Sequence, residues 1–402
     1  MKRYAFTIIL AIVGIVSISL FYSYVNRTVS AHEKISIETV SGDDGEVANV
    51  KLFGIMNNND VAYSISMSKN DTEIGSNSII SLDNMNYVYN TADARLSELQ
   101  EEYRSFMRGK KNTYSLYEDK EFLIYGDVLD DFITAGEILI SMYDKAKAED
   151  WEITIPLPEE LNKSNYIYVG DVQLYNQEVV LMIIAEQDHT QYIYRAAVNV
   201  NQNRLSDFSL IYSLDTGWEE EGSYYNNHLS INETLVGSSW MTKAKYMPFR
   251  VTKTEEASGD LMKETNQFFV VNMESGESFE VNLPEKITID SNLFVDNENV
   301  YYIDKKTGEL YKYNFEKASF DYVLKHEAFT NLDYTYLFEF TQNKLYFLSN
   351  GRYNGESPTV RAVDFYVLDL KTEQELYHGR IDYKDFKDSY VDFTSIAPRS
   401  FD

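Results

Sequence analysis

The sequence predicts an all-β fold made of repeated antiparallel sheets. Three observations lead to this class: short runs that alternate apolar and polar residues, polar turns between the runs, and recurrence of one hairpin at roughly 40 to 70 residue intervals. Residues 299–325 show the pattern best, since they contain the runs NVYYI, ELYKYNF and SFDYVLK with short turns between them. Alternation with a period of two residues is typical of strands with one buried face.

Six hairpins of this kind can be found along the chain. Apart from residues 299–325, they begin at Ser78, Glu137, Gln191, Gln267 and Asp364. Further apolar runs precede them, among them EFLIYGDV near residue 121 and EVVLMIIAEQ near residue 178. Each unit therefore has three or four strands, which cannot bury an apolar face alone but can do so when the units stack radially.

This pattern resembles a β-propeller and is most similar to the divergent propellers of Gram-positive surface proteins, over roughly residues 34–393. No unit carries a signature such as Trp-Asp. We predict six blades, or seven if KISIETV from Lys34 and DSYVDFTSI from Asp388 pair to close the ring. The alternative architecture is two β-rich domains divided near Pro158.

One segment interrupts the strands. Residues 91–109 place Leu96, Leu99, Tyr103, Phe106 and Met107 on one face of a predicted helix. We expect this helical insertion to pack against the side or rim of the propeller, with a partner-binding helix as the alternative.

The N-terminus predicts a location. Residues 5–22 contain no charge and are nearly long enough to cross a bilayer, and Lys2 and Arg3 precede them. We expect a cytoplasmic start at 1–4, a single-pass transmembrane anchor at 5–22, a linker at 23–34 and an extracytoplasmic domain at 35–402. The alternative is a signal peptide cleaved after Val29-Ser30-Ala31.

Composition excludes several classes of function. The chain has no cysteine, which removes disulfides and thiolate chemistry and, with the anchor, suggests a Gram-positive source. The net charge of -28 disfavours nucleic acid as a partner. Membrane contact is predicted through the N-terminal helix only, and no cofactor is predicted.

Catalytic and metal-binding motifs are sparse. Neither a Gly-x-Ser-x-Gly elbow nor a His-Glu-x-x-His motif occurs, and the five histidines are scattered among different units. His189 is expected at a hairpin tip. The acidic stretches SGDDGE and GDVLDD are better explained as solvated turns than as Ca²⁺ sites. We therefore assign no catalytic and no metal-binding residue.

Residues 213–218, SLDTGW, resemble the first part of the Asp-box turn of sialidase-type propellers. Ser213, Asp215 and Gly217 match, but Glu220 replaces the aromatic residue that the box requires, and Trp218 comes two places early. In that family the box is a structural hairpin, so the resemblance implies a hairpin and not sugar chemistry.

Aromatic residues in loops provide the candidate ligand-binding site. Tyrosine occurs 33 times, and those outside strands can stack on a glycan or peptide. The predicted set is Trp218, Tyr224, Tyr225 and Trp240.

The function predicted from these observations is non-enzymatic binding of a protein, peptide or glycan at the cell surface, as a sensor, accessory subunit or envelope-assembly factor. Two alternatives stay open. One is a surface hydrolase or lyase that acts on sugar or peptide with axial carboxylates from several blades, and the other is a purely structural interaction module.

Overall fold

The computed structural model describes most of the chain. The described residues are 12–20, 35–58, 61–75, 94–110, 112–129, 136–216, 227–230, 243–257, 261–282, 293–296, 298–331, 336–341, 343–350, 362–382 and 389–398. Every structural statement below refers to these residues.

Twenty-five strands form six antiparallel sheets, which we number I to VI in chain order. Sheet I contains β2 (Val50–Asn58), β3 (Val61–Met67), β4 (Thr72–Gly75) and the C-terminal β25 (Ser389–Pro398). Sheet II contains β5 (Leu116–Glu118), β6 (Phe122–Leu129), β7 (Glu137–Asp144) and β8 (Glu149–Pro156). Sheet III contains β9 (Tyr166–Tyr175), β10 (Glu178–Gln187), β11 (Thr190–Asn199) and β12 (Arg204–Asp215).

The other three sheets follow the same order. Sheet IV contains β13 (His228–Ser230), β14 (Tyr246–Ala257), β15 (Leu261–Asn272) and β16 (Ser278–Val281). Sheet V contains β17 (Leu293–Val295), β18 (Val300–Asp304), β19 (Glu309–Asn314) and β20 (Ser319–Lys325). Sheet VI contains β21 (Tyr336–Thr341), β22 (Lys344–Asn350), β23 (Ala362–Asp369), β24 (Gln374–Asp382) and the N-terminal β1 (Ile37–Gly42).

Neighbouring sheets pack face to face, and the burial of β10 shows why. Alternate residues of this strand, Val179, Leu181 and Ile183, pack against sheet II, while those between them, such as Val180 and Met182, pack against sheet IV. The strand is buried on both faces and therefore reads as an almost continuous apolar run, EVVLMIIAEQ. Equivalent clusters join sheets IV and V, V and VI, and VI and I. This architecture is propeller-like.

The two ends of the chain both take part in closing the ring. β25 pairs with β2 in sheet I, and β1 pairs with β24 in sheet VI. The runs near residues 34 and 388 therefore do not pair with each other, as a seventh unit would require, because each completes a different sheet. Thus the seam between sheets VI and I is crossed by the chain twice.

The helix within the predicted insertion, α2 (Ala94–Glu102), joins sheets I and II. It contacts β25, and Leu96 and Leu99 pack with Leu123 and Tyr125 of sheet II. A free partner-binding helix is therefore not supported, because its apolar face is buried within the protein.

The strand predictions agree with the structure where it can be compared. Five of the predicted hairpins are present as β7–β8, β11–β12, β15–β16, β19–β20 and β23–β24, and the one from Ser78 lies outside the described residues. The proposed division near Pro158 is not seen, since Leu157 and Leu161 belong to the cluster shared by sheets II and III.

The N-terminal helix α1, residues 12–20, is the described part of the predicted anchor. Its large apolar side chains, including Ile12, Ile15, Ile18 and Leu20, are 49–65% exposed. Within the described part of the chain, no helix has the length and apolar character needed to cross a membrane.

We call the first strand of each sheet its inner strand; this is β25 in sheet I, and inner strands of neighbouring sheets contact each other in the pairs β21–β25 and β5–β9. The strand order separates two rims of the ring. One rim carries the turns between the first and second strands and between the third and fourth strands of each sheet, and we call it the turn rim. The opposite rim carries the second-to-third turns and the connections between sheets, and we call it the connection rim.

One turn recurs at the turn rim of five sheets. An Asp or Asn side chain accepts the backbone N–H groups two and three residues later at 2.7–3.1 Å, and the fourth residue after it has a positive φ. The first residues are Asp144, Asn199, Asn272, Asn314 and Asp369. In such turns the Asp or Asn side chain satisfies the backbone N–H groups of the turn itself, so these donors need no other partner.

Candidate functional site

The four aromatic residues predicted to bind ligand, Trp218, Tyr224, Tyr225 and Trp240, lie outside the described residues. The strands beside them still locate the ends of their connections. β12 ends at the connection rim, where Thr216 N–H donates to His189 O at 2.9 Å. Residues 243–245, which follow Trp240, lie at the turn rim. The two connections therefore require separate tests.

The connection rim of sheets II and III is strongly acidic. Carboxylate side chains are exposed or half-buried there, and Lys163 is the basic residue among them. The acidic residues are Asp127, Glu137, Glu159, Glu160, Glu186, Asp188 and Asp215. Burial raises the pKa of Asp127. Tyr166, which begins β9 at this rim, is 60% exposed and presents an aromatic ring beside these charges.

A bulge in β9 decides which side chains face sheet IV. β9 pairs with β10 in regular register on each side of Gly170, which is left unpaired. Before the bulge Tyr168 faces sheet IV, and after it Asp171 and Tyr175 face the same way, while Val172 faces sheet II. The bulge therefore turns a carboxyl group into the seam between sheets III and IV, as bulges near functional sites often do.

Asp171 is an unusual group. Its side chain is 7% exposed, and Gln173 Nε2 donates to Oδ1 at 3.3 Å and to Oδ2 at 3.2 Å. Burial penalises the carboxylate form and raises its pKa to about 7, although the bonds from Gln173 and the Val172 backbone oppose this shift. A carboxyl group that titrates near neutrality can exchange a proton under physiological conditions.

Two other inner strands carry buried carboxylates. Glu118 of β5 forms an ion pair with Lys145 Nζ at 2.7 Å, so its charge is compensated within sheet II. Glu339 of β21 is 6% exposed. Sequence reasoning missed Glu118, Asp171 and Glu339, because single acidic residues inside apolar runs give no motif.

The structure also brings two of the scattered histidines together. His378 stacks on Tyr366 at 4.3 Å between ring centroids, and His326 meets the same ring at 5.0 Å. His326 Nε2 lies 3.1 Å from Glu375 Oε2, and Ala328 N–H donates to its Nδ1, which places the proton on Nε2. These contacts join sheets V and VI and are structural.

The remaining sequence candidates have structural roles or lie elsewhere. Asp44 contacts Lys69 at 3.1 Å and Glu46 pairs with Lys344. The acidic residues of SGDDGE therefore form ion pairs at the seam between sheets VI and I. His189 is at a hairpin tip, as predicted, with φ 63°. Within the described ranges, no group of three or more histidines and carboxylates is arranged to hold a metal. Of the Asp-box match, Ser213 and Asp215 lie in β12, and Gly217 lies outside the described residues.

Comparisons with known proteins identify no family. No family model matches the chain, and no curated protein matches it. Among solved structures, one from a study of two prolyl endopeptidases is 10% identical and aligns with a TM-score of 0.31. The alignment covers 73% of this chain and 40% of the other, so the chain spans about two fifths of that structure's length. A similarity this weak carries no argument about activity.

Proposed function

We propose that the protein is a membrane-anchored, extracytoplasmic propeller of six blades that binds a partner without catalysing a reaction. The partner is a protein, peptide or glycan of the cell surface, and the protein serves as a sensor, an accessory subunit or an envelope-assembly factor. The supporting observation is the group of carboxylates at the connection rim of sheets II and III, where Lys163 is the basic residue among them and the exposed Tyr166 lies beside them.

The anchor part of the proposal is supported by α1. Its apolar side chains are about half exposed or more, and the uncharged stretch continues on both sides of it over residues 5–22. Burying such side chains in lipid is favourable by roughly 25 cal/mol for each Å² removed from water. A bilayer therefore stabilises this segment, and Lys2 and Arg3 favour a cytoplasmic start.

The charge of the connection rim favours a basic protein or peptide segment among the proposed partners. None of Glu137, Glu159, Glu160 and Asp188 makes an ion pair with another described residue. Like charges held together repel one another and attract a cationic surface, which increases the rate of association. An anionic glycan would be repelled by the same field.

The test is a pull-down with full-length protein from detergent-solubilised envelope, with a chain that begins at Glu33 as the control for anchor-dependent contacts. A double variant, Glu159→Lys with Glu160→Lys, reverses charge at the connection rim. The matched control, Glu149→Lys with Asp150→Lys, makes the same change at the turn rim. We expect the partner to be retained by the shortened chain, lost in the first variant and kept in the second.

Equal retention by both variants would contradict binding at the connection rim. Separate variants would then test the aromatic set, with Trp218, Tyr224 and Tyr225 changed to Ala in one and Trp240→Ala in the other. Loss of the partner in either would transfer the site to that connection. Recovery of no partner by any form would contradict the binding function itself.

One observation favours the second candidate, a surface hydrolase or lyase. Asp171 lies on an inner strand with a pKa near neutrality, as a general acid requires. Its limited exposure and its bonds to Gln173 argue against direct access to substrate. Hydrolysis of a glycan or peptide library by the wild-type protein, abolished in Asp171→Asn, would favour the enzyme.

A further inference from the structure

Residues 243–245 form a short non-strand segment that lies on the inner strand β9. Ala244 N–H donates to Gln173 Oε1 at 2.9 Å, and Tyr175 OH donates to Ala244 O. Lys243 Nζ lies 5.4 Å from the centroid of the Tyr175 ring. At its other end the segment is held by Met273 N–H, which donates to Lys245 O at 2.9 Å.

The same amide side chain connects this segment with Asp171. Gln173 donates through Nε2 to both oxygens of the Asp171 carboxyl group and accepts through Oε1 from Ala244. Asp171, Gln173 and Tyr175 follow one another along one face of β9, so the segment lies on the same face as the buried carboxyl group.

The charged neighbours do not compensate a carboxylate at this position. Arg195 from β11 is engaged by Asp207 Oδ2 at 2.7 Å and by the carbonyl oxygens of Met273 and Glu274. The Glu274 carboxyl group is a like charge from the β15–β16 turn, and Tyr175 from β9 has its own pKa raised, chiefly by burial. Lys243 and Lys245 carry positive charge, but their ammonium groups lie beside the Tyr175 and Tyr246 rings.

We propose that Asp171 is a proton-controlled latch for residues 243–245. The neutral carboxyl group keeps the segment seated on β9, and the carboxylate favours its release. Residues 243–245 belong to no strand ladder and are linked to Asp171 through Gln173, so their release is the local movement by which the carboxylate would be hydrated. The latch works independently of which partner binds, and it controls the base of the connection that carries Trp240.

The expected size follows from proton linkage. The pKa of Asp171 is about 7 in the closed form, and the ordinary value of 3.8 applies when the group is hydrated. Opening therefore becomes about tenfold more favourable per pH unit between roughly pH 4 and 7, and it levels off above pH 8. Between pH 5 and 8 the open fraction rises by roughly a hundredfold.

Hydrogen exchange of the full-length protein in detergent tests the latch. The exchange of a peptide that covers residues 243–246 is measured from pH 5 to 8, and the intrinsic pH dependence of exchange is removed. In the wild type we expect protection to fall by roughly a hundredfold. In Asp171→Asn we expect constant protection, because the amide is nearly isosteric and does not titrate. Amides of β10 report global unfolding, which is linked to the same proton. Their protection should stay well above that of residues 243–246 at every pH, because the segment opens without unfolding of the sheet.

A second variant tests the link itself. Gln173→Leu removes the acceptor of Ala244, so we expect weak protection of residues 243–246 at every pH. Constant protection in the wild type, a wild-type response in Asp171→Asn, or a wild-type response in Gln173→Leu would each overturn the proposal. If loss of β10 protection shows that Asp171→Asn does not fold, Asp171→Ser takes its place with the same expected outcome.

Discussion

Gly42 provides a direct test of how closely the N-terminal strand β1 packs against β24 of sheet VI. It ends β1 with φ +92°, a conformation that side chains with a Cβ rarely adopt. A Cβ at this position would lie 2.2 Å from Leu376 O and 2.6 Å from Tyr377 Cα. Both are backbone atoms of β24, and Tyr377 is fixed by its pairing with Val367 of β23, so it cannot move away cheaply.

Gly109 allows the two costs of an alanine at Gly42 to be separated. It has nearly the same φ, +84°, but a Cβ there would meet nothing within 4 Å. Gly109→Ala should cost only the left-handed conformation, about 1–2 kcal/mol. Gly42→Ala should also displace the end of β1, with loss of the Asp43 N–H bond to Leu376 O and part of the burial of Ile37, for a total of about 3–5 kcal/mol.

The assay is urea unfolding of the full-length protein in detergent, followed by circular dichroism, with wild type and both alanine variants in parallel. We expect the midpoint to fall in both variants and by clearly more in Gly42→Ala. Equal losses would refute the argument, since they would mean that β1 does not approach β24 as closely as these distances require.

Three further predictions concern the seam, the turns and the buried acid. Lys69→Met should lower the unfolding midpoint, because Lys69 Nζ donates to Ile37 O and Tyr377 OH at 3.1 Å and a methionine leaves both without this donor. The control is Lys317→Met, which loses only an exposed ion pair and should change the midpoint little. Ala318→Gly should raise the free energy of unfolding by roughly 0.5–1 kcal/mol in denaturant titrations, since φ is 47° at this turn position, and an unchanged or lower value would contradict the strain. The pKa of Asp171 is higher in the folded than in the unfolded state, so its contribution to stability is present at low pH and is lost as pH rises from about 4 to 7. The loss amounts to roughly 4 kcal/mol, and Asp171→Asn should flatten this decline in the free energy of unfolding. An equal pH dependence in both proteins would argue against burial of the charge.

The sequence predicted the hairpins well because their pattern is local. Alternation and polar turns located the third and fourth strands of sheets II to VI. The common turn was not recognised as one motif, because its left-handed position is Gly276 in only one of the five sheets and Ala148, Asn203, Ala318 or Glu373 in the others. A search for an Asp or Asn at the end of one strand, followed five or six residues later by the next strand, would have found it.

The candidate acid could not be predicted for a specific physical reason. In strict alternation along YIYVGDVQLY, Val169, Asp171 and Gln173 would share a face. The bulge at Gly170 shifts the register, so Val169 faces sheet II whereas Asp171 faces sheet IV. A bulge depends on pairing with β10, which the sequence of one strand does not contain. The same is true of His326, which contacts the Tyr366 ring beside His378 only because sheets V and VI pack together.

The two chain ends contribute unequally to closure. If β25 left sheet I, β2 would become its inner edge and the contact of β25 with β21 of sheet VI would be lost. If β1 left sheet VI, the four strands β21–β24 and the β25–β2 pairing would still be present. The stability lost with β1 is therefore limited to the burial of Ile35 and Ile37 and the contacts of Lys69. Because the proposed anchor precedes β1, a force applied through the linker would act on β1 first. The ring would stay closed when β1 detaches.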